Sequence, residues 1–393
     1  MDEVFIVSGA RTAIGDYGKA LKDVTPVQLA TVVIKEALRR ASIDGAHVGS
    51  VVMGHIINTE ANDVFLSRMS AMSAGVGQEC PAFNVNRLCG SGLQAIISGA
   101  QSIMVGDTAV VVAGGAESMS RAPYLNQPLR WGQRMGDSTM QDMLLGVLTD
   151  PFHCIHMGMT AENVATRYQI SRSEQDALAL ESHRRAANAI DAGYFTEQIV
   201  PVVINGRKGD IHFDTDEHVR RDISLESLAS LQPAFLKEGG TVTAGNASGL
   251  NDGAAAVVLM NAAAVKKHAV QPLARLVTYA HTGVDPAVMG IGPVSATQIA
   301  LKRAGLSIED MDVIEANEAF AAQACAVARQ LKLDPAKVNP NGSGIGLGHP
   351  VGATGAIVTI KALYELKRIK GRFALVTMCI GGGQGIAAIF ERV

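Results

Sequence analysis

Hydrophobic residues run through this chain in short unbroken groups rather than in strict alternation, and most groups are followed by a stretch with helical spacing. Val4–Ser8 is the first such strand. Residues 26–41 carry a helical pattern, entered through Pro26 with Thr25 placed to cap it. Val51–Gly54 reads as another strand. The segment FNVNRLCGSGLQAI leads into a helix over 90–105, a Gly106-Asp107 turn, a strand at Ala109–Ala113 and the glycine-rich corner AGGAESMSR. Strands without alternation, linked by helices, predict an α/β fold whose mixed sheet is covered on both faces.

From about 121 to 245 the rhythm breaks. A Met-rich stretch, two histidines and the DTDEHVRRD run predict an inserted loop domain with helices near 160–192. The regular pattern resumes at Asn251-Asp252-Gly253, with strands near 254–260 and 273–280. A helix over 295–305, a strand at Val313–Glu315 and a helix at Ala319–Leu331 follow. NPNGSGIGLGHPVGATGAI opens a helix to about 368, then come a strand at Ala374–Met378, the turn CIGGGQG and a strand at Ile386–Phe390. Two stretches repeat one order of events: VNRLCGSGLQAI…VGDTAVVVAGGAESM and GLGHPVGATGAI…IKGRFALVTMCIGGGQG. An internal duplication is therefore expected, one that brings Cys89 and the 349/379 region to opposite sides of one cleft.

At 393 residues the chain is long enough for two or three domains. The formal charge of −3 offers no basic field for nucleic acid, although Arg207-Lys208 and Arg220-Arg221 are local positive pairs. No apolar run has the length of a membrane span, and MDEVFIVSGARTA does not read as a signal or transit segment. The five cysteines, at 80, 89, 154, 325 and 379, form no CxxC pair, which disfavours a disulfide framework and a zinc site. A reducing, cytoplasmic setting is expected.

Cys89 is either a buried small hydrophobe or a nucleophile. Its place at a strand-to-helix junction between glycines, with exposed amides nearby, predicts a lowered thiol pKa and favours the second. His349, in GIGLGHPVGATGA, is a candidate base for Cys89 and a candidate oxyanion donor. Cys379 is either a strand-end residue or a second proton carrier, with the Gly381–Gly383 amides as further donors. Asn317 either holds a water or caps helix 319–331. GxGxxG after a strand and the Walker sequence are absent, and His153 and His156 read as loop residues, His156 as a ligand contact.

Four motifs occur in order: NRLCGSGLQA (86–95), IEANEAFAAQ (314–323), NGSGIGLGHPVGATGA (341–356) and TMCIGGGQG (377–385). Together they resemble the thiolase family, in its acetyl-CoA acetyltransferase and broad-range β-ketothiolase branch, across essentially the whole chain. The resemblance implies two duplicated βαβαβαββ halves forming a five-layered αβαβα core. It places the first half at 1–120, a loop domain covering coenzyme A at 121–245, the completing strand and helix at 246–270, and the second half at 271–393. It implies that Cys89 takes the acyl group, His349 activates it, Cys379 moves the α-proton of the second thioester, and Asn317 holds the water that shares an oxyanion with His349. The amides of Cys89 and Gly381 would form the second oxyanion site. CoA contacts are implied for His156, Met157, Arg220, Phe235, Ala244, Ser248 and Phe320.

The implied reaction joins two acetyl-CoA into acetoacetyl-CoA and CoA, reversibly, through an acyl-cysteine, with no metal or other cofactor. A homotetramer is the implied assembly, without nucleic acid or membrane. Gln384 in CIGGGQG and the loop DPFHCIHMG depart from the two-carbon type and point to longer acyl chains such as 3-ketovaleryl-CoA. The alternative activity is a degradative 3-ketoacyl-CoA thiolase of fatty-acid β-oxidation.

Overall fold

The computed structural model describes residues 2–206 and 209–393; the Arg207-Lys208 pair lies outside them. The first half runs β1 (Val4–Arg11), α1 (Pro26–Ala41), β2 (Ser50–Gly54), α2 (Leu66–Ser73), β3 (Ala82–Val85), α3 (Ser91–Met104) and β4 (Val110–Ser118). An excursion follows that carries α4 (Met157–Tyr168) and α5 (Arg172–Asp191) before the chain returns as β5 (Asn251–Asn261). The second half runs β6 (Ala274–Gly283), α6 (Gly292–Ala304), β7 (Val313–Ala316), α7 (Ala321–Leu331), α8 (Val351–Ile369), β8 (Phe373–Ile380) and β9 (Gln384–Arg392).

Strand pairing reveals the repeat. Across the first half the order is β1-β5-β4-β2-β3, and across the second it is β6-β9-β8-β7. The counterpart of β3 shrinks to one parallel bridge between Ile314 and Val338. Each half is thus βαβαβαββ, and the expected duplication is present. The two sheets are not separate, however. β1 and β6 pair antiparallel at Phe5–Arg275 and Ile6–Ala274, which joins them edge to edge into one mixed sheet.

The layers follow from which strand faces share a core. Val111 and Ala113 of β4, Ala255, Val257 and Leu259 of β5, and Ala374 and Val376 of β8 pack with Leu93, Ile96 and Ile97 of α3 and Ile357, Ile360 and Leu363 of α8. The opposite face of the first half, with Val110, Val112, Ala256 and Val258, packs on Leu29, Val33 and Ile34 of α1. Leu375, Ala387 and Ile389 on the opposite face of the second half pack on Ala296 and Ala300 of α6 and Val327 of α7. Five layers result, αβαβα, with α3 and α8 at the centre. Strands buried on both faces have no polar side to alternate with, which is why the sequence shows unbroken apolar groups.

The helix signals act as read. Thr25 Oγ1 accepts from Gln28 N at 3.2 Å while Gln28 Oε1 accepts from Thr25 N at 2.9 Å, a reciprocal cap ahead of Pro26. The 160–192 region is two helices, because Gln169 turns left-handed at φ 53° and ends α4. α5 of the excursion packs on α7 and on the one-turn helix Gly344–Leu347, so a segment inserted in the first half is seated on the second. The buried ion pair of Arg11 and Asp216, 2.7 Å, ties the excursion back to β1. Among the described residues no helix is long and apolar enough to cross a membrane.

α3 and α8 touch backbone to backbone. A methyl group on Gly355 would overlap the Leu93 amide nitrogen, and one on Gly92 would lie 2.7 Å from the Ala356 nitrogen. Gly355→Ala should therefore destabilise the protein by about 3 kcal/mol, the upper range for an overpacked core. A thermal midpoint equal to wild type would show that the helices can separate without cost.

Candidate active site

The central helices bring two reactive residues together. Cys89 ends the turn between β3 and α3, and His349 stands two residues before α8. The Cys89 turn is tight: Leu88 sits at φ 46°, a left-handed conformation that costs a side-chain-bearing residue about 1–2 kcal/mol. Asn86 Oδ1 accepts from Leu88 N at 3.0 Å, while Ser91 Oγ accepts from Arg87 N at 2.8 Å and donates to Leu88 O at 2.7 Å. These side chains hold the strained backbone, and the thiol is left half-buried.

Burial raises the Cys89 pKa above the usual thiol value. The N–H groups of Gly381 and of Cys89 itself oppose that rise, and the Glu117 carboxylate adds to it. The expected lowering at the helix start does not occur, because loss of water outweighs the amides aimed at the sulfur. Cys89 therefore rests as a thiol, and a nucleophilic role for it would call for a base.

His349 is placed to be that base. Burial pushes its pKa down to about 4, so the imidazole is neutral at ordinary pH. Its backbone N–H donates to Asn251 Oδ1 at 2.8 Å, and Asn251 Nδ2 donates to Gly15 O at 3.1 Å. Nδ1 lies 2.7 Å from Thr354 Oγ1 and Nε2 lies 3.4 Å from Asn317 Nδ2. Asn317 does not cap α7, whose N-cap is Phe320. It follows β7 directly, its N–H bonded to Thr377 O at 3.0 Å, and its Oδ1 is a buried acceptor without a partner among the described residues.

Cys89, His349 and Gly381 line one inner cavity of about 50 Å³ with Ile56, Leu88, Leu148, Met157, Met289, Ser248 and Phe320. Leu148, Ser248, Phe320, His349 and Val351 also line an outer cavity of about 390 Å³, which His156, Phe235 and Ala244 complete. His156 starts α4, accepting from Gly158 N at 3.0 Å, and its ring stacks on Phe235 at 4.7 Å. Phe235 meets Phe320 edge-on at 6.4 Å. Cys379 lies behind the inner cavity, in an apolar cluster with Met157, Met289, Ala319 and Phe320; burial first, and then the Cys89 charge, raise its pKa strongly. Arg220 is exposed, bonded through its N–H to His183 Nδ1, and its side chain lines neither cavity. Among the described residues no group of three ligating side chains is placed for a metal.

The family models described as thiolase, N-terminal domain, and thiolase, C-terminal domain, match residues 4–263 and 270–392. This chain belongs to the thiolase family. It is 66% identical to the β-ketothiolase BktB of Cupriavidus necator, over 100% of this chain and 99% of the relative. The acetyl-CoA acetyltransferase of Bacillus anthracis superimposes with a TM-score of 0.98 at 48% identity, covering 100% of this chain and 99% of that one. Human mitochondrial 3-ketoacyl-CoA thiolase in complex with CoA superimposes with a TM-score of 0.96 at 46% identity, covering 100% and 98%.

Several residues that support this thiolase's site carried no local signal. Glu117, buried at the end of β4, accepts from Ile56 N at 3.2 Å, Ile57 N at 3.1 Å and Gly352 N at 3.0 Å, tying the cavity wall to the start of α8. Glu318 accepts from Ser182 Oγ at 2.5 Å and Asn339 Nδ2 at 2.9 Å, and Lys361 pairs with Glu315 at 2.8 Å beneath the 339–349 loop. Asn251 was findable only as a polar residue beside glycines, and Thr354 only as one position inside the 341–356 motif. Because His349 stays neutral until about pH 4, the acid limb of kcat/KM should fall near pH 4 rather than near the ordinary histidine value. A pH profile of thiolysis checks this, and a limb near pH 6.5 would contradict a buried, uncharged imidazole.

Proposed function

We infer that this thiolase is an acetyl-CoA C-acetyltransferase of the β-ketothiolase kind, an acyltransferase that converts two acetyl-CoA reversibly into acetoacetyl-CoA and CoA. One observation carries the reading: a half-buried thiol and a neutral imidazole line the same cavity, with the Gly381 N–H aimed at the thiol sulfur. Likeness of 66% to a β-ketothiolase weighs against the β-oxidation alternative, whose mitochondrial 3-ketoacyl-CoA relatives are 47% identical or less.

In the mechanism that we assign, His349 Nε2 takes the Cys89 proton and the sulfur attacks the acetyl-CoA carbonyl carbon. The C–S bond to CoA breaks and CoA leaves as a thiol. A group with the raised pKa of Cys379 gives its proton to the departing thiolate and is then a strong base for the methyl carbon of the second acetyl-CoA. The resulting carbanion attacks the acyl-enzyme carbonyl, the C–S bond to Cys89 breaks, and the Cys89 sulfur takes back the proton held on His349 Nε2. The unpartnered Asn317 Oδ1 suits a water that, with His349, faces one oxyanion; the Cys89 and Gly381 amides face the other. Each such donor is worth about 2.7–4 kcal/mol in acyl transfer. The chemistry uses proton transfers, thioester exchange and one carbon–carbon bond formation without an external oxidant or reductant, so CoA thioesters are substrates and no metal or redox cofactor is required.

The outer cavity fits pantetheine, between His156, Phe235, Ala244 and Ser248, with Met157 and Phe320 further in. Arg220, exposed beyond it, fits the phosphate end, and residues 121–245 form the domain that covers CoA. The arm with Tyr124, Leu129, Trp131 (90% exposed) and Met135 (86% exposed) supports a homotetramer, since apolar side chains so exposed are suited to a partner copy. Five free thiols suit the cytoplasm.

Gln384 does not explain a longer acyl chain: its Oε1 accepts from Arg87 at 3.1 Å, and it lines neither cavity. Met157 and Met289 do line the inner one, and flexible thioethers adapt to added methylenes. Thiolysis of 3-ketovaleryl-CoA should accordingly proceed alongside that of acetoacetyl-CoA; refusal of five- and six-carbon substrates would defeat this reading. Acetyl-CoA should add one acetyl group to the wild type, detected by intact mass, and none to Cys89→Ser. Comparable thiolysis by wild type, Cys89→Ser and Cys379→Ser would reject the mechanism.

A further inference from the structure

We propose that Thr354 is a positioning residue that fixes the single proton of His349 on Nδ1, so that Nε2 keeps the lone pair required to accept the Cys89 proton. The proposal rests on the β-ketothiolase reading of Cys89 and His349. A hydroxyl has one proton to give. Thr354 Oγ1 lies 3.0 Å from Pro350 O at the cap of α8, which also receives the Ala353 and Thr354 N–H groups; with the hydroxyl proton turned to that carbonyl, Oγ1 offers the imidazole a lone pair. Nδ1, 2.7 Å away, is then the donor of this pair, the tautomer that the proposal assigns.

The other side of the ring agrees independently. Nε2 faces the amide nitrogen of Asn317, a donor, at 3.4 Å, and a donor is matched by an unprotonated nitrogen. His349, Thr354 and Asn317 are all buried, so water does not compete for these atoms. Burial also holds the ring neutral, which leaves one proton to place.

The Thr354 side of the ring serves both states of the base. Before proton transfer it presents the Nε2 lone pair. After Nε2 takes the Cys89 proton, Nδ1–H still donates to Oγ1, so the imidazolium keeps a bonded proton on its far side. Thr354 touches no reacting atom; it acts through the imidazole. Its location in the first turn of α8 makes the helix itself the frame that orients the ring.

Thr354→Val removes the hydroxyl at nearly constant size, and Thr354→Ser keeps it. With a valine, an Nδ1–H would be a buried donor without a partner, so the proton moves to Nε2 and the base is lost. Imidazole ¹⁵N NMR of the free enzyme, assigned against His349→Gln, should show Nδ1–H in wild type and in Thr354→Ser, and Nε2–H in Thr354→Val. The valine variant should lose about 10²-fold or more in kcat, the usual contribution of a general base, with KM little changed; the serine variant should retain most of the rate. An Nε2–H signal in wild type overturns the proposal even if the valine variant does not fold. So does a valine variant of wild-type kcat, or a loss of rate with the Nδ1–H signal unchanged. Absence of an acetyl adduct on wild-type Cys89 would instead defeat the underlying reading and leave the NMR result standing.

Discussion

The direct backbone contact between α3 and α8 is the constraint on which the site depends. Two helices from different halves of the chain approach until side-chain-bearing residues no longer fit at Gly92 and Gly355. Ordinary helix pairs are held 8–10 Å apart by their side chains. Here the glycines remove that spacing, and the starts of the two helices come together. Because Cys89 precedes one helix and His349 the other, the same contact that packs the central layer also assembles the reactive pair. Glu117 extends it, reaching from β4 to the amide of Gly352 in the first turn of α8.

Burial then sets the acid–base state. Taking both groups out of water disfavours charge on each, so the thiol pKa rises and the imidazole pKa falls. The resting pair is neutral, and charge forms only when the proton crosses. Amides from the β8–β9 turn and from Cys89 already face the sulfur, where negative charge arises. Holding this geometry requires a polar scaffold under the 339–349 loop. Glu315, raised to about 7 chiefly by burial, is paired with Lys361, and Glu318 is fully bonded by Ser182 and Asn339. Ser182 belongs to α5, so the inserted segment helps to hold the 339–349 loop of the second half as well as to line the outer cavity.

Much of the fold was legible because its signals are local. Pro26 with Thr25, the unbroken apolar strands and the glycine-rich turns each act over a few residues. α2, LSRMSAMS, was missed because two turns with only three large apolar residues, Leu66, Met69 and Met72, are too short to establish a helical period. The sequence predicted helices near 160–192 but not where they divide, because the left-handed cap at Gln169 is not a glycine. The strand counterpart at Val338 is too short to have a pattern at all. Within the site, Cys89, His349 and Cys379 stood out through their glycines, whereas Asn251, Glu117 and Thr354 did not. Their importance lies in which distant atom each one meets.

The sequence by itself determined the kinds of groups available, the order of strands and helices in each repeat, and the turns that present Cys89 and His349. Those properties follow from side-chain type and from contacts between near neighbours. Tertiary structure decided that the two sheets join through β1 and β6, that Asn317 faces His349 rather than capping α7, and that Gln384 bonds Arg87 outside the cavity. It also reversed the expected shift at Cys89. A helix start near a thiol is visible in sequence, but the water excluded from that thiol is excluded by residues from both halves, and desolvation depends on all of them together.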